Sequence, residues 1–257
     1  MNRFIDTHAH LYLDQFDEDR GEVVKRAIDA GVEKVLLPNI ESATYDSMML
    51  LRNQHPGVIY SMVGLHPCSV KERWQEELDF VEQRLEEGEH IGVGEIGLDY
   101  YWDTSFKKEQ QKAFRRQLNW AKDLDLPVAI HCRESMEDIL FILADEQDGR
   151  LKGVLHCFTG TTEEGEQLID LGMHIGLGGV ITFKKGGMEK VLPHLPLEWM
   201  LLETDAPFLT PAPNRGKRNE SAYLVKIAEK MASLYDMNVD SLAETTTENA
   251  LNLFKLH

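Results

Sequence analysis

Short runs of aliphatic and β-branched residues alternate with longer amphipathic stretches along the whole chain. This alternation is typical of repeated strand and helix units whose strands pair in parallel. The predicted strands number eight and cover residues 4–6, 34–38, 58–63, 91–95, 128–131, 153–156, 174–177 and 199–203. Because eight parallel strands close a barrel, the pattern predicts an α/β fold of the TIM (β/α)8 type.

The amphipathic stretch at residues 104–124 predicts the clearest helix. Phe114, Leu118 and Ala121 recur there at helical spacing and are expected to be buried, while Thr104 or Ser105 is placed to cap the helix. The segment 221–257 also has a helical pattern and is expected to complete the outer layer. With no linker or low-complexity tract in between, residues 1–257 are expected to form one domain.

The composition restricts the possible partners of the protein. The chain of 257 residues has the length of a single barrel, and its formal charge of −17 repels nucleic acid at long range. A nucleic-acid role therefore requires a local positive site. No apolar run approaches the roughly 18 residues of a membrane span, and the first predicted strand begins too early to follow a cleavable signal. We expect a cytoplasmic protein without a membrane partner.

Residues that commonly bind metals lie at the downstream ends of the predicted strands. In a barrel these ends share one face, so side chains that are distant in sequence meet there. The predicted metal ligands are His8 and His10 after the first strand, Glu95 at the fourth, His131 at the fifth, His156 at the sixth and Asp205 at the eighth.

The spacing and chemistry of these residues favour a divalent cation. His8 and His10 are two residues apart, so on an extended backbone both rings leave from one face. Imidazole with carboxylate suits Zn²⁺, Mn²⁺, Fe²⁺ or Co²⁺, while Mg²⁺ prefers oxygen ligands. The sequence does not choose among Mg²⁺, Zn²⁺ and Mn²⁺. Since Glu95 can bridge two ions, one or two cations per chain are expected, and these would supply local positive charge.

Four further residues near this face each allow two interpretations. His66, in Gly64-Leu65-His66-Pro67, is either a substrate contact or a structural histidine. Arg133 follows His131 by two and either grips a phosphate or forms a salt bridge with a loop carboxylate. Glu203 precedes Asp205 by two and is expected to orient a ligand from behind. Asp99 has a functional role or caps a loop.

A basic run follows the last predicted strand, with Arg215, Lys217 and Arg218 within four positions. Such a run is commonly only a solvated loop. Barrel phosphate sites, however, often use the loops after strands seven and eight. We therefore regard these three residues as candidate contacts for the phosphates of a substrate.

Taken together, these residues resemble those of the TatD family of metal-dependent deoxyribonucleases, within the amidohydrolase superfamily. The similar segments occur in family order and span almost the whole chain: residues 4–11 (FIDTHAHL), 64–67 (GLHP), 94–100 (GEIGLDY), 127–133 (PVAIHCR), 156–160 (HCFTG) and 202–207 (LETDAP). One departure is Ser221, where the family usually has proline; it affects the entry to the next helix and no predicted ligand.

The resemblance implies a TIM barrel that binds one or two divalent cations and hydrolyses phosphodiester bonds in DNA, often from the 3′ end. By position it assigns the same six metal ligands. In the corresponding mechanism a metal-activated water attacks phosphorus, Asp205 accepts its proton, and Glu95 binds or bridges the cations. Arg133 and the basic run would steady the phosphate oxygens.

Three other functions use the same features. An amidohydrolase cleaving a C–N bond shares the barrel and the histidines, but often has a carboxylated lysine where this chain has Glu95. Hydrolysis of the ester between a D-amino acid and tRNA would use the same metal centre. A barrel that binds nucleic acid or a protein partner without catalysis ranks below both, because the complete ligand set is retained.

Overall fold

The computed structural model describes residues 3–184 and 186–256, and within them eight strands are arranged as a parallel barrel. Strands β1–β3 form one sheet and β4–β8 another, each in sequential order. Bridges between Val63 and Val93 and between Ala9 and Ala206 join the two sheets at both edges. The strands are β1 Phe4–Asp6, β2 Val32–Pro38, β3 Ile59–Met62, β4 Val93–Asp99, β5 Val128–Arg133, β6 Gly153–Leu155, β7 Met173–Leu177 and β8 Met200–Leu202.

Helices follow the strands and pack around them, which confirms the predicted α/β barrel. No helix in the described part of the chain is long and apolar enough to cross a membrane. The α-helices are α1 Arg20–Asp29, α2 Ser42–Gln54, α3 Trp74–Glu86, α4 Lys107–Leu124, α5 Met136–Glu146, α6 Thr162–Asp170, α7 Leu224–Leu234 and α8 Val239–Phe254.

Strand β4 differs most from its prediction. It was expected to end at Glu95 but continues to Asp99, which pairs with Arg133 of β5. All seven of its residues are buried, so Glu95 lies in the middle of a strand instead of at its end. The polar side chain does not end the strand because the backbone pairing with β5 continues past it.

The predicted cap of α4 is also wrong. The helix begins at Lys107 and no side chain caps it; Asp103 instead accepts a hydrogen bond from the Ser105 backbone amide in the turn before it. An aspartate that accepts a hydrogen bond from the backbone amide two residues later favours a turn, not the start of a helix. The predicted core positions Phe114, Leu118 and Ala121 are buried, as expected.

The last helix closes one end of the barrel. The segment from Ser221 is helical as predicted, with His257 outside the described residues. Helix α8 contacts β1 and β8, and it joins a buried apolar cluster with residues of six strands. Strands from all around a barrel meet only in its interior, and side chains of α8 also bond the carbonyls of Arg3 and Met200 at the starts of β1 and β8, so α8 lies across the amino-terminal end. This cluster contains Ile5, Leu36, Met62, Ala129, Val154 and Leu201 of the strands and Ala250, Leu253 and Phe254 of α8.

Gly97 allows β4 and β5 to approach closely beside the predicted ligand His131. Its φ is +133°, and a Cβ atom there would lie 2.1 Å from the His131 carbonyl oxygen. Only glycine adopts this backbone conformation without strain. The residue thus fixes the spacing of the two strands that carry Glu95 and His131.

We predict that Gly97→Ala lowers the free energy of unfolding by about 2–4 kcal/mol, because it adds a backbone clash to conformational strain. Urea denaturation would measure the change. Gly88→Ala is the matched control, since Gly88 also has a positive φ but has open space around it; it should cost about 1 kcal/mol. Equal losses for the two variants would show that the close approach at Gly97 contributes nothing.

Candidate metal centre

The buried carboxylate of Glu95 lies between two groups of histidines. Its Oε2 atom is 3.2 Å from His8 Nε2 and 3.4 Å from His10 Nε2. Its Oε1 atom is 3.0 Å from His131 Nδ1 and 2.9 Å from His156 Nε2. One carboxylate is therefore shared by two groups of imidazole nitrogens, and such a carboxylate could contact two cations.

Asp205 belongs to the first of these groups. Its Oδ1 atom is 3.5 Å from His10 Nε2 and 3.9 Å from His8 Nε2. The residue has a φ of 56°, in the left-handed region, which aspartate tolerates better than most residues. Two backbone hydrogen bonds hold it there: its amide donates to the His8 carbonyl and its carbonyl accepts from Phe208. The chain thus fixes the carboxylate beside His8 and His10.

Hydrogen bonds behind the ring fix which nitrogen of His10 faces inward. The Tyr12 hydroxyl donates to the Pro38 carbonyl at 2.6 Å, so its oxygen accepts from His10 Nδ1 at 3.0 Å. With the proton on Nδ1, the lone pair on His10 Nε2 points toward Glu95 and Asp205. This is the tautomer that a metal ligand requires.

Carboxylates stand behind the two histidines of the other group. Asp99 Oδ2 lies 2.9 Å from His131 Nε2, which leaves Nδ1 to face Glu95. Glu203 Oε1 lies 3.5 Å from His156 Nδ1 and also accepts from the Cys157 amide at 2.6 Å. The structure thus places Asp99 and Glu203 where each can orient a ligand ring, and Asp99 also caps a loop.

His66 has the opposite tautomer. Its Nδ1 accepts a hydrogen bond from the Cys68 amide at 3.0 Å, so the proton of the neutral ring is on Nε2. Burial lowers the pKa of His66, which favours this neutral form. Nε2 lies 3.4 Å from Glu95 Oε1 and donates toward it instead of offering a lone pair. His66 is therefore placed as a hydrogen-bond donor at the edge of the cluster, not as a metal ligand.

The electrostatics of the cluster favour a bound cation. Burial raises the pKa of Glu95, but His66, His156 and His8 together hold it well below its usual value. Burial lowers the pKa of His156, yet Glu95 and Glu203 hold it well above its usual value. Without a metal, protons therefore occupy the positions that a cation would take, and the two compete.

The geometry of the donor atoms also fits a metal. Bonds of about 2.0–2.2 Å in a tetrahedral shell place neighbouring ligand atoms roughly 3.3–3.6 Å apart. The separations between ring nitrogens and Glu95 oxygens are 2.9–3.4 Å. The residues present therefore fit one cation beside His8, His10 and Asp205 as they stand, while a second beside His131 and His156 would need these rings to move a few tenths of an ångström away from Glu95.

The structure places the predicted phosphate contacts in different surroundings. Arg133 is exposed, and its guanidinium lies over the Tyr101 ring at 3.7 Å and near the Trp102 ring at 5.2 Å. It forms no salt bridge with the described residues, so the expected alternative for this side chain is not found. The planar group remains available to a ligand at the rim of the metal centre.

The basic run divides into two parts. Arg215 and Lys217 are exposed, and the Arg215 guanidinium lies 3.6 Å from the centre of the Phe183 ring. Arg218 instead bonds Asp19 at 2.8 Å and the Gln15 carbonyl at 2.6 Å. Its charge is thus partly neutralised by the loop before α1.

Sequence reasoning missed Tyr12 and the aromatic pair Tyr101 and Trp102. Tyr12 continues the two-residue spacing of His8 and His10, which could have indicated its contact with the site. The aromatic pair lies two and three residues after Asp99, and both backbone amides donate to Asp99 Oδ1, at 3.0 and 3.3 Å. Its position depends on the loop geometry, which the sequence pattern does not give.

The barrel and the cluster of histidines and carboxylates at the carboxyl ends of its strands are those of a metal-dependent hydrolase. The sequence matches the family model described as "TatD related DNase" over residues 5–255. The chain therefore belongs to the TatD family, as the resemblance of its motifs indicated.

Relatives match over nearly their whole length. The metal-dependent hydrolase YabD of Bacillus subtilis is 38% identical, with 98% of this chain and 99% of that protein covered. The 3′-5′ ssDNA/RNA exonuclease TatD of Erwinia tasmaniensis is 37% identical, with 98% and 99% covered. The crystal structure of the TatD homologue YjjV from Escherichia coli has a TM-score of 0.93 and 32% identity, with 99% of each chain covered.

We predict that the chelator-treated protein binds two Mn²⁺ or Zn²⁺ ions per chain, because Glu95 faces two ligand groups. The double variant His8→Ala, His10→Ala and the double variant His131→Ala, His156→Ala should each lose one ion, and Glu95→Gln should weaken both sites. Isothermal titration calorimetry and elemental analysis would measure the stoichiometry.

His194→Ala serves as the control, since His194 is an exposed histidine outside the cluster. It should bind the same number of ions as the parent protein. If both double variants also kept the parent stoichiometry, the proposed ligand set would be incorrect.

Proposed function

We propose that the protein hydrolyses phosphodiester bonds of DNA, in single strands first, by activating water at a two-cation centre. The shared carboxylate of Glu95 is the observation that carries the proposal, since two adjacent cations suit in-line attack on phosphorus. The Erwinia relative, named an ssDNA/RNA exonuclease, supports release from the 3′ end and makes RNA a second substrate to test.

The proposed ligands divide between the two positions according to the distances. A bound divalent cation would acidify water and neutralise phosphate charge. His8, His10 and Asp205 would hold one cation, His131 and His156 the other, and Glu95 would contact both. Tyr12, Asp99 and Glu203 would keep the rings in their metal-binding tautomers.

Asp205 is the proposed proton acceptor. Although burial raises its pKa, the neighbouring rings of His10, His156 and His8 lower it below the usual value, so the carboxylate is ionised at neutral pH. With Oδ1 beside two ligand nitrogens, it is within reach of water in the centre. Glu95 is also ionised, but both of its oxygens are directed at the histidines.

The remaining polar residues surround the place of the phosphate. The protonated Nε2 of His66 can donate to a phosphate oxygen, and Arg133 can bind one bidentately. Arg215 and Lys217 extend the positive surface along the loop after β8. Arg218 remains a candidate contact, although its bonds to Asp19 and Gln15 make it more suited to holding this loop.

The direct test is an activity panel with metal-depleted and metal-restored protein. Single-stranded DNA, duplex DNA, RNA and a simple phosphodiester would be compared under the same conditions. Metal-dependent release of nucleotides from the 3′ end of single-stranded DNA is the expected result. Hydrolysis of a cyclic amide or a D-aminoacyl ester without turnover of any phosphodiester would reject the proposal.

We predict that Asp205→Asn lowers kcat on single-stranded DNA by about 10²–10⁴-fold, because asparagine keeps the shape but cannot accept the proton. KM should change much less. Glu203→Gln is the comparison, since that residue touches a ligand ring from behind and should cost only about 10–100-fold. Metal content must be measured for both variants, and a metal-loaded Asp205→Asn protein with normal kcat would exclude this role.

We predict that replacing Arg215 and Lys217 together by alanine raises KM for DNA and reduces the salt dependence of binding. Each lost phosphate contact removes roughly 0.7 units from the slope for a single strand, so a loss of about 1–1.5 units is expected. The matched control replaces Lys152 and Lys255, two lysines bound to Asp125 away from the metal centre. The same change in both double variants would indicate a general charge effect.

A further inference from the structure

Exposed aromatic side chains are concentrated beside the metal centre. Among the described residues, the exposed aromatic side chains are Tyr101, Trp102, Phe141 and Phe208, with Trp102 at 70% exposure. Phe141 lies on α5 in the outer layer of helices, away from the cluster, whereas the other three are connected to it. Large exposed rings are costly in water, so their grouping around one site calls for an explanation.

The first aromatic group is fixed to the metal centre through Asp99. One oxygen of that carboxylate faces the ring of His131 at 2.9 Å, and the other accepts from the amides of Tyr101 and Trp102. The two rings meet edge to face, with their centres 4.8 Å apart. The loop that carries them is therefore positioned by the same side chain that orients a ligand histidine.

Arg133 adds a charge to this aromatic pair. Its guanidinium stacks on the Tyr101 ring at 3.7 Å, and it lies two residues after His131 on β5. An aromatic face with an adjacent guanidinium presents a surface for a flat base and a donor for its phosphate.

The second aromatic group is Phe208, on the other side of the cluster. Its ring contacts the ring of His10 edge to face, with centres 6.2 Å apart, and 46% of the residue is exposed. Its amide donates to the carbonyl of Asp205 at 2.7 Å. Exposed aromatic rings are thus connected to both groups of proposed ligands. Tyr101 and Trp102 are connected to His131 by Asp99, and Phe208 contacts His10 and Asp205.

We propose that Trp102 with Tyr101, and Phe208, are two base-stacking positions that hold the nucleotides on either side of the cleaved phosphate. This inference rests on the proposed nuclease function and names the part of the substrate that these residues recognise. Stacking requires bases that are free of a duplex, and it tolerates all four bases because each has a π face. The two positions therefore select single strands without selecting sequence.

Base stacking matters more in this protein than in a basic one because the protein carries a large negative charge. With a formal charge of −17, the chain has no general attraction for a polyanion. Binding by base stacking does not depend on charge, so it supplies affinity where the electrostatic contribution of the surface opposes binding.

The test compares two single-stranded oligonucleotides of equal length, one with normal bases and one with abasic residues at its three 3′-terminal positions. The metal-restored parent should release the first nucleotide of the normal substrate with a kcat/KM about 10–100-fold higher. Trp102→Ala and Phe208→Ala should each raise KM for the normal oligonucleotide about 10-fold and leave the abasic one unchanged. Trp102→Phe should retain most of the preference.

Phe141→Ala is the matched control, because it removes an equally exposed ring away from the cluster. This variant should leave the KM and kcat/KM for both oligonucleotides at the values of the parent protein. Phe208→Leu separates loss of the ring from loss of apolar packing, since Phe208 is partly buried. If Trp102→Ala and Phe208→Ala affected both oligonucleotides equally, or neither, the stacking proposal would be overturned while the nuclease function stood.

A binding measurement keeps the two proposals distinguishable if no DNA or RNA is hydrolysed. Fluorescence anisotropy with the same two labelled oligonucleotides and the metal-loaded parent protein would then be used. Tighter binding of the normal oligonucleotide, lost in Trp102→Ala, would support base stacking without hydrolysis. Equal binding of both oligonucleotides, or no binding of either, would overturn it.

Discussion

The burial of Glu95 among imidazole rings is the interaction on which the rest of the site depends. An isolated carboxylate removed from water costs several kcal/mol unless positive charge compensates it. Here both oxygens face ring nitrogens within 3.4 Å, and the net effect holds the pKa of Glu95 well below its usual value. The cluster is therefore a place that favours positive charge, supplied by protons or, more strongly, by cations.

The barrel makes this arrangement possible because it brings the proposed ligands, which lie on or just after β1, β4, β5, β6 and β8, to one face. Parallel pairing sets the distance between β4 and β5, and Gly97 allows the backbone at His131 to approach without a clash. Tyr12 and Asp99 hydrogen-bond the rings of His10 and His131 from behind, and the Glu203 carboxylate lies 3.5 Å from the ring of His156. Function at this site needs ligand orientation within about 0.5 Å, which rigid strands provide better than loops.

The sequence was sufficient for the features that depend on periodicity. The eight strands and the position of His8 and His10 on one face follow from patterns of two and 3.6 residues. The end of β4 did not follow, because Gly97 lies just past the predicted end at Glu95, where glycine is typical of a strand terminus, while in the fold it permits close packing against His131. A glycine can mark the end of a strand or a close approach between two strands, and only the position of the neighbouring strand distinguishes the two.

Residues whose role depends on one particular hydrogen bond or ring contact were the hardest to assign. The tautomer of His66 is set by the Cys68 amide in a turn, and Arg218 is neutralised by Asp19, 199 positions away in the sequence. Neither contact has a local pattern. The same holds for the contact between the Arg133 guanidinium and the Tyr101 ring, which stands in place of the predicted alternative of a salt bridge to a loop carboxylate.

The acidic surface does not prevent binding of the proposed substrate, because charges in salt solution act on a phosphate only over short distances. At physiological ionic strength the Debye length is about 8 Å, so most of the −17 formal charge is screened from a phosphate in the centre. In the proposed function, a phosphate there would respond mainly to bound cations, Arg133 and the donor on His66. The distant carboxylates act chiefly on the approach of the polyanion, which they slow, and this effect weakens as salt is added.

Contacts at the centre also weaken with salt, so the two contributions oppose each other and binding should depend less on salt than in a basic nuclease. Such a protein needs affinity from a source other than charge, and exposed rings on both sides of the metal centre are placed to provide it.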